Sequence, residues 1–149
     1  MVWSEIALRL GVAVVIGAAI GLDRELLHKS AGVRTIGLVT LGAAFATLLV
    51  TVSQHDLGAP SRVLQGAVTG IGFLGAGVIM RHRGTVEGLT TAASIWAAAV
   101  LGAGAGMGAW PLVIIGSAFA LVLLVFAGWA EHKLKHRGAV SGKPPSDKE

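Results

Sequence analysis

The sequence contains no cysteine and few charged residues, and both shortages narrow the class of protein. Without cysteine there is no disulfide framework, no thiolate metal site and no cysteine nucleophile. Only 13% of the 149 residues are charged while 54% are hydrophobic, so an ordinary soluble domain would lack the polar surface needed to cover itself. The composition therefore predicts an integral membrane protein that contacts the lipid bilayer.

Motifs that carry chemistry in other proteins are also missing. The sequence has no Walker-type phosphate loop, no HExxH and no credible Ser/His/Asp arrangement, so we expect no enzyme activity. Gly70, Gly72 and Gly75 spell GxGxxG inside an apolar run, where helix packing explains them better than a dinucleotide site. The net charge of +4 comes from residues between apolar runs and in the tail, so no nucleic-acid partner is expected.

Five apolar runs predict an all-α membrane protein, a bundle of five transmembrane helices. The runs are Ile6–Leu22, Ile36–Val52, Val63–Met80, Leu89–Leu101 and Pro111–Trp129. Each glycine costs a helix up to about 1 kcal/mol relative to alanine, so the fourth helix is expected to end or break at Gly102–Gly108. Residues 1–137 would form the membrane domain and residues 138–149 a disordered cytoplasmic tail.

Basic residues are distributed unevenly between the two ends of the predicted bundle. The first and third connections and the tail carry most of them, whereas the opposite side has Arg9 and Arg62. The positive-inside rule then places the N-terminus outside and the C-terminus in the cytoplasm. Glu5 and Arg9, four residues apart, are expected to pair along one helix face, and Arg9 to snorkel to the interface.

The third run is expected to form the centre of the bundle. On a helical wheel its bulky residues share a side that is interpreted as lipid-facing: Val63, Leu64, Ile71, Leu74 and Val78. The small residues of this run and of the first helix are predicted helix-packing positions: Gly17, Gly21, Gly66, Gly70, Gly72, Gly75 and Gly77. Arg62, Gln65 and Thr69 form a polar strip on the glycine side.

Asp23, Glu25 and Glu87 are weak candidates for a Mg²⁺ site, because hard oxygen ligands are what this ion requires. They are mixed with basic residues, so a layer of salt bridges is the competing interpretation. We predict that Asp23 or Glu25 pairs with Arg34 or Arg81 rather than holding a metal. No predicted span carries an Asp, Glu, Lys or His near its middle, which weakens the case for a carrier.

The segments GLDRELLHKSAGVRT, RVLQGAVTGIGFLGAG and GLTTAA resemble the MgtC/SapB family of bacterial inner-membrane proteins. The resemblance covers about Gly17 to Gly108 and implies a five-helix membrane domain, growth under magnesium limitation and, in pathogens, virulence. For the founding virulence protein of the family, the resemblance also implies inhibition of the F-type ATP synthase. That protein carries a soluble C-terminal domain after its last helix, which is not expected in this sequence. The signature residues that the resemblance implies are Asp23, Arg24, Glu25, Gly32, Arg34, Thr35, Arg62, the glycines from Gly70 to Gly77, Gly88, Leu89, Thr90 and Thr91.

The leading hypothesis is a small regulatory or partner-binding membrane protein linked to Mg²⁺ homeostasis. Its glycine faces would dock against a second copy, giving a homo-oligomer, or against another membrane protein. The alternative hypothesis is a channel or transporter for Mg²⁺ or another cation, formed by an oligomer. Neither hypothesis requires a cofactor, and Mg²⁺ is the one ion that remains a candidate ligand.

Overall fold

The computed structural model describes residues 2–53, 58–82 and 85–140, which form helices joined by short connections and one β-hairpin. The helices are α1 (Trp3–Leu26), α2 (Val33–Ser53), α3 (Ala59–Val78), α4 (Leu89–Met107) and α5 (Trp110–Val140). The hairpin pairs β1 (Met80–His82) with β2 (Thr85–Glu87) in antiparallel register. The predicted helical class is confirmed.

Bulky apolar side chains cover much of the outer surface. Phe73, Leu112 and Phe119 are 84%, 75% and 72% exposed, which is typical of a surface that faces lipid rather than water. Within the described ranges, four helices are long and apolar enough to cross a membrane, namely α1, α2, α4 and α5. α3 is not among them, because Arg62, Gln65 and several glycines lower its mean hydropathy.

The centre of the bundle is α4, which contacts each of the other four helices. Nine residues of α4 are buried, whereas α3 buries only Ile71 and Gly75. The prediction that the third helix is central is therefore wrong. The predicted orientation of α3 is also wrong. Leu64, Ile71 and Val78, which were expected to face lipid, pack against the core, and the glycine-rich side faces outward.

The glycine-rich end of α4 does not break the helix, contrary to the prediction. A Cβ at Gly102 would lie 2.8 Å from the Cα of Thr40, and one at Gly106 would lie 2.9 Å from the carbonyl carbon of Ala44. Real Cβ atoms do not tolerate such distances, so only glycine lets α4 approach the backbone of α2 this closely. This packing offsets the low helix propensity of the glycines.

The basic connection between α3 and α4 forms a β-hairpin. Arg81 lies opposite Val86, and Gly88 leads directly into α4 with φ of 88°. A Cβ at Gly88 would lie 2.9 Å from the carbonyl carbon of Val78, so this position requires glycine for both conformation and space. The hairpin thereby fixes the start of α4 against the end of α3.

The last helix extends beyond the predicted fifth span. α5 continues past Trp129 through the basic segment to Val140. Its buried side chains include Val113, Ser117 and Leu124, so α5 covers one side of the bundle. The predicted tail begins inside α5, and residues 141–149 lie outside the described part of the chain.

Candidate functional site

Glu25 links the end of α1 to the start of α2. Its Oε2 accepts a hydrogen bond from the backbone N–H of Val33, the first residue of α2, at 3.0 Å. The first N–H groups of a helix have no partner within that helix, so Glu25 caps α2 from the preceding element. A Cβ at Gly32 would lie 2.7 Å from this same oxygen, so a larger residue there would require the Glu25 side chain to shift.

Arg24 is the largest fully buried side chain among the described residues, and it pairs with its neighbour. Its Nε and Nη2 donate to Oδ2 of Asp23 at 2.9 and 2.6 Å. The predicted pairing of Asp23 or Glu25 with Arg34 or Arg81 is therefore wrong for the described residues, since each acid has a nearer partner. Burial of the pair makes it sensitive to the loss of either member, because the remaining charge would be left uncompensated.

The Mg²⁺ candidates are not gathered into a site. Within the described ranges, no group of three acidic, imidazole or thiol side chains is placed to hold a metal ion. Asp23 and Glu25 already accept hydrogen bonds from Arg24 and the Val33 N–H, and Glu87 is exposed on β2.

The outward side of α3 carries polar residues interleaved with glycines. The side chains of Arg62, Gln65 and Thr69 are exposed, and the Thr69 hydroxyl donates to the carbonyl of Gln65 at 2.8 Å. No atom lies within 4 Å of a Cβ built at Gly66, Gly70, Gly72 or Gly77, whereas Gly75 faces Ala92 at 3.6 Å. We call the outward set the α3 glycine face: Arg62, Gln65, Gly66, Thr69, Gly70, Phe73 and Gly77.

Beyond α3 itself, no atom of the described chain lies within 4 Å of a Cβ built at Gly66, Gly70 or Gly77 of the α3 glycine face. By contrast, a Cβ at Gly17 would lie 2.8 Å from the Cα of Gly37, and one at Gly21 would lie 2.6 Å from the Cα of Val33. Two of the predicted packing glycines thus lie between α1 and α2. Packing through the α3 glycine face stays a prediction about a partner helix.

The threonines at the start of α4 point in different directions. Thr91 is 2% exposed and lies in the core, whereas Thr90 is exposed at the surface. The hydroxyl of Ser94 donates to the carbonyl of Thr90 at 2.8 Å. Of the two motif threonines, Thr90 alone presents its side chain to a partner or to solvent.

Arg34 and Thr35 are exposed at the start of α2 and line two hollows. One is an apolar groove of about 610 Å³ between α2 and α3. The other, of about 490 Å³, lies over the connection between α1 and α2. Arg34 makes no hydrogen bond or ion pair with another described residue.

Thr47 was not singled out from the sequence, yet it joins two helices. Its Oγ1 lies 3.0 Å from the carbonyl oxygen of Ala103 on α4 and also within hydrogen-bond distance of two carbonyls of its own helix. Thr47 is fully buried beside Gly106. The spacing of Gly102 and Gly106, which places two small residues on one helix face, is the signal that could have identified this contact.

Arg9 joins the start of α1 to the end of α4. Its predicted pairing with Glu5 is confirmed, but Arg9 is 9% exposed and does not snorkel. Its Nη1 donates to the carbonyl of Gly106 at 2.8 Å. The last carbonyls of a helix lack partners within the helix and carry its negative dipole end, so the arginine caps α4.

Comparisons with known proteins agree on one family. A sequence profile described as the MgtC family matches residues 10–133. Protein SrpB of Synechococcus elongatus is 41% identical over 135 residues, which are 82% of this chain and 74% of SrpB. The putative magnesium transporter YhiD of Escherichia coli K12 is 37% identical over 128 residues, or 81% of this chain and 60% of YhiD. Protein MgtC of Salmonella typhimurium LT2 is 45% identical over 101 residues, or 68% of this chain and 43% of MgtC.

The chain thus spans about half the length of two curated relatives, 43% of MgtC and 52% of a further relative from Synechocystis. No solved structure matches the chain.

Proposed function

Because the chain belongs to the MgtC family, we propose that it is a small inner-membrane protein of magnesium homeostasis that acts by docking on another membrane protein. The partner is a second copy of the chain or a different protein, for which the family resemblance points to the F-type ATP synthase. A relation to Mg²⁺ is supported by the relative named as a putative magnesium transporter. The observation that carries the docking role is the α3 glycine face.

The α3 glycine face is poorly suited to face lipid. Arg62, Gln65 and Thr69 are exposed there, and polar groups in contact with hydrocarbon are costly. Glycines without neighbours leave the backbone accessible, and close approach of backbones is how helices associate in membranes. A partner helix would cover both features at once, with the 84% exposed Phe73 packing into it.

The proposed topology has five spans, with α3 crossing as well, the N-terminus outside and the C-terminus in the cytoplasm. Because the chain has no cysteine, introduced cysteines report position directly. In intact cells, Ser61→Cys should react with an impermeant thiol reagent and Lys29→Cys should not. The reverse result would contradict the orientation.

The docking role is tested by disrupting the α3 glycine face without disturbing the fold. Gly70→Leu places a bulky side chain where no atom of the protomer lies within 4 Å. We expect this variant to fold but to lose its partner on copurification from native membranes, and to lose complementation of growth in low Mg²⁺. Antibodies against F-type ATP synthase subunits and differently tagged copies of the chain identify the partner.

Gly11→Leu is the matched control, because Gly11 on α1 is equally exposed and equally free of neighbours. It should retain both the partner and growth. If Gly70→Leu assembles and grows like the Gly11 variant, the α3 glycine face is not the docking surface.

The alternative function is an oligomeric channel or transporter for Mg²⁺ or another cation. It gains support from the same polar strip, since Gln65 and Thr69 from several copies could line a shared pathway. Purified protein in liposomes separates the two functions. Mg²⁺ influx above that of empty liposomes, reduced by Gln65→Leu, would favour the channel, whereas absence of flux together with loss of the partner in Gly70→Leu would favour docking.

A further inference from the structure

Two hollows of different character meet at the first turn of α2. The groove between α2 and α3 is almost entirely apolar, whereas the hollow over the α1–α2 connection is lined by polar side chains that include His28 and Lys29. Arg34 and Thr35 line both. A single elongated molecule could therefore occupy the groove with one end and the polar hollow with the other.

The groove exists because small residues line the contact between α2 and α3. Gly42 and Ala46 of α2 and Ala67 of α3 line it, together with larger apolar residues that include Leu38 and Ile71. A Cβ at Gly42 would meet no atom within 4 Å. In a bilayer such a space is filled by hydrocarbon, because water would find no polar partner there.

The polar hollow favours an anion. Two basic residues, Lys29 and Arg34, line it against one carboxylate, that of Glu25, whose Oε2 accepts a hydrogen bond from the Val33 N–H at 3.0 Å. The exposed Arg34 has no hydrogen-bond or ion-pair partner in the described part of the chain. A guanidinium binds phosphate through two parallel hydrogen bonds, and a basic residue at a helix end lies at the depth of the lipid phosphates.

We propose that the two hollows together bind one anionic phospholipid, with an acyl chain in the α2–α3 groove and the phosphate on Arg34. The groove volume of about 610 Å³ lies within the range of about 300–1,000 Å³ that is typical of ligand pockets. The lipid fills the gap beside α3, the helix that buries only Ile71 and Gly75 in the protomer. This inference does not depend on the proposed docking function.

Native mass spectrometry of the purified full chain in detergent tests the site, with phosphatidylglycerol and phosphatidylcholine of identical acyl chains as probes. We expect wild-type protein to retain phosphatidylglycerol about fivefold better, the effect of one basic residue acting on an anionic headgroup. Arg34→Gln should abolish this preference, while Arg81→Gln, which changes an exposed arginine outside both hollows, should preserve it.

Gly42→Leu tests the groove, because it fills the space without a clash and should lower retention of both lipids. Gly11→Leu is the matched control on α1 and should bind like the wild type. If Arg34→Gln does not fold, Arg34→Lys replaces it and should keep part of the preference. A photoreactive phosphatidylglycerol with its label in the acyl chain should mark peptides of α2 or α3.

Several results would overturn the proposal. They are equal retention of the two lipids by wild-type protein, an unchanged preference in Arg34→Gln, unchanged retention in Gly42→Leu, or labelling confined to other helices. Displacement of phosphatidylglycerol by an equal concentration of inorganic phosphate would show a site for free anions instead. Loss of a dimer in Gly42→Leu with lipid retention intact would show that a second copy occupies the groove.

Discussion

Two glycine-rich helices of this protein use the same residue in opposite ways. In α4, Gly102 and Gly106 are buried against the backbone of α2. In α3, Gly66 and Gly70 are exposed and have no neighbour within 4 Å. Glycine content alone therefore does not identify the centre of a membrane bundle, because small residues serve contacts inside a protomer and contacts between proteins equally well.

The contrast extends to the polar residues that accompany the glycines. Beside the α4 glycines, Thr47 is fully buried and reaches a carbonyl of another helix. On α3, the hydroxyl of Thr69 bonds only to its own helix, in an exposed position. The α4 contact packs two helices of the chain together, whereas the polar residues of α3 stay exposed.

The largest effect is expected at the α4–α2 contact. Gly102→Ala places a methyl group against the Thr40 backbone, and we expect the free energy of unfolding to fall by about 3 kcal/mol. Denaturant titration in detergent, followed by far-UV circular dichroism, measures it. Gly66→Ala is the control and should cost nothing, since no neighbour is near; comparable losses in both variants would erase the distinction between the two helices.

A smaller loss is expected where Arg9 caps α4. Arg9→Met removes the hydrogen bond to the Gly106 carbonyl and the pairing with Glu5, at a cost of about 2 kcal/mol in the same titration. Arg62→Met, on the exposed α3 glycine face, should cost well below this value. A larger effect at Arg62 would show that the exposed face contributes to the stability of the protomer.

The buried threonine provides a finer comparison. Thr47→Val keeps the volume but removes the hydroxyl that bridges to Ala103, and we expect a loss of about 0.6 kcal/mol. Thr69→Val should leave the unfolding curve unchanged, because its hydroxyl bonds within α3. Identical curves for both variants would mean that the interhelical bond contributes no stability.

The smallest effect on stability is expected at Gly70. Although Leu is much larger than glycine, Gly70→Leu should change the free energy of unfolding of the monomer by less than about 0.5 kcal/mol, as is usual for an exposed position. The same titration measures it at a protein concentration at which the chain is monomeric by light scattering. A loss as large as that of Gly102→Ala would mean that α3 packs inside the protomer.

Much of the architecture follows from the sequence, because apolar runs locate the helices and the basic connections distinguish one end of the bundle from the other. The spacing of Glu5 and Arg9 was sufficient to predict their pairing. The side of α3 that faces the bundle was not predictable, since glycines and bulky residues form equally clear stripes. The helical course of Gly102 to Met107 was missed because propensity was considered without the backbone of α2 that the glycines contact.

The candidate site was less accessible to sequence reasoning. Charge alone suggested pairs between Asp23 or Glu25 and distant arginines, but a helix start offers unpaired N–H groups at shorter range. Glu25 bonds to one of these groups, and Asp23 pairs with the adjacent Arg24. The α2–α3 groove depends on the distance between two helices, which no local pattern encodes.

The cap that Arg9 places on α4 has a consequence for biosynthesis. Arg9 and its acceptor, Gly106, are separated by 97 residues, so at about 5–20 residues per second the ribosome completes the acceptor about 5–20 s after the arginine. During that interval α1 carries a cation whose final partner does not yet exist. Glu5, one helical turn away, pairs with Arg9, so α1 carries an ion pair rather than a lone cation until α4 has been synthesised.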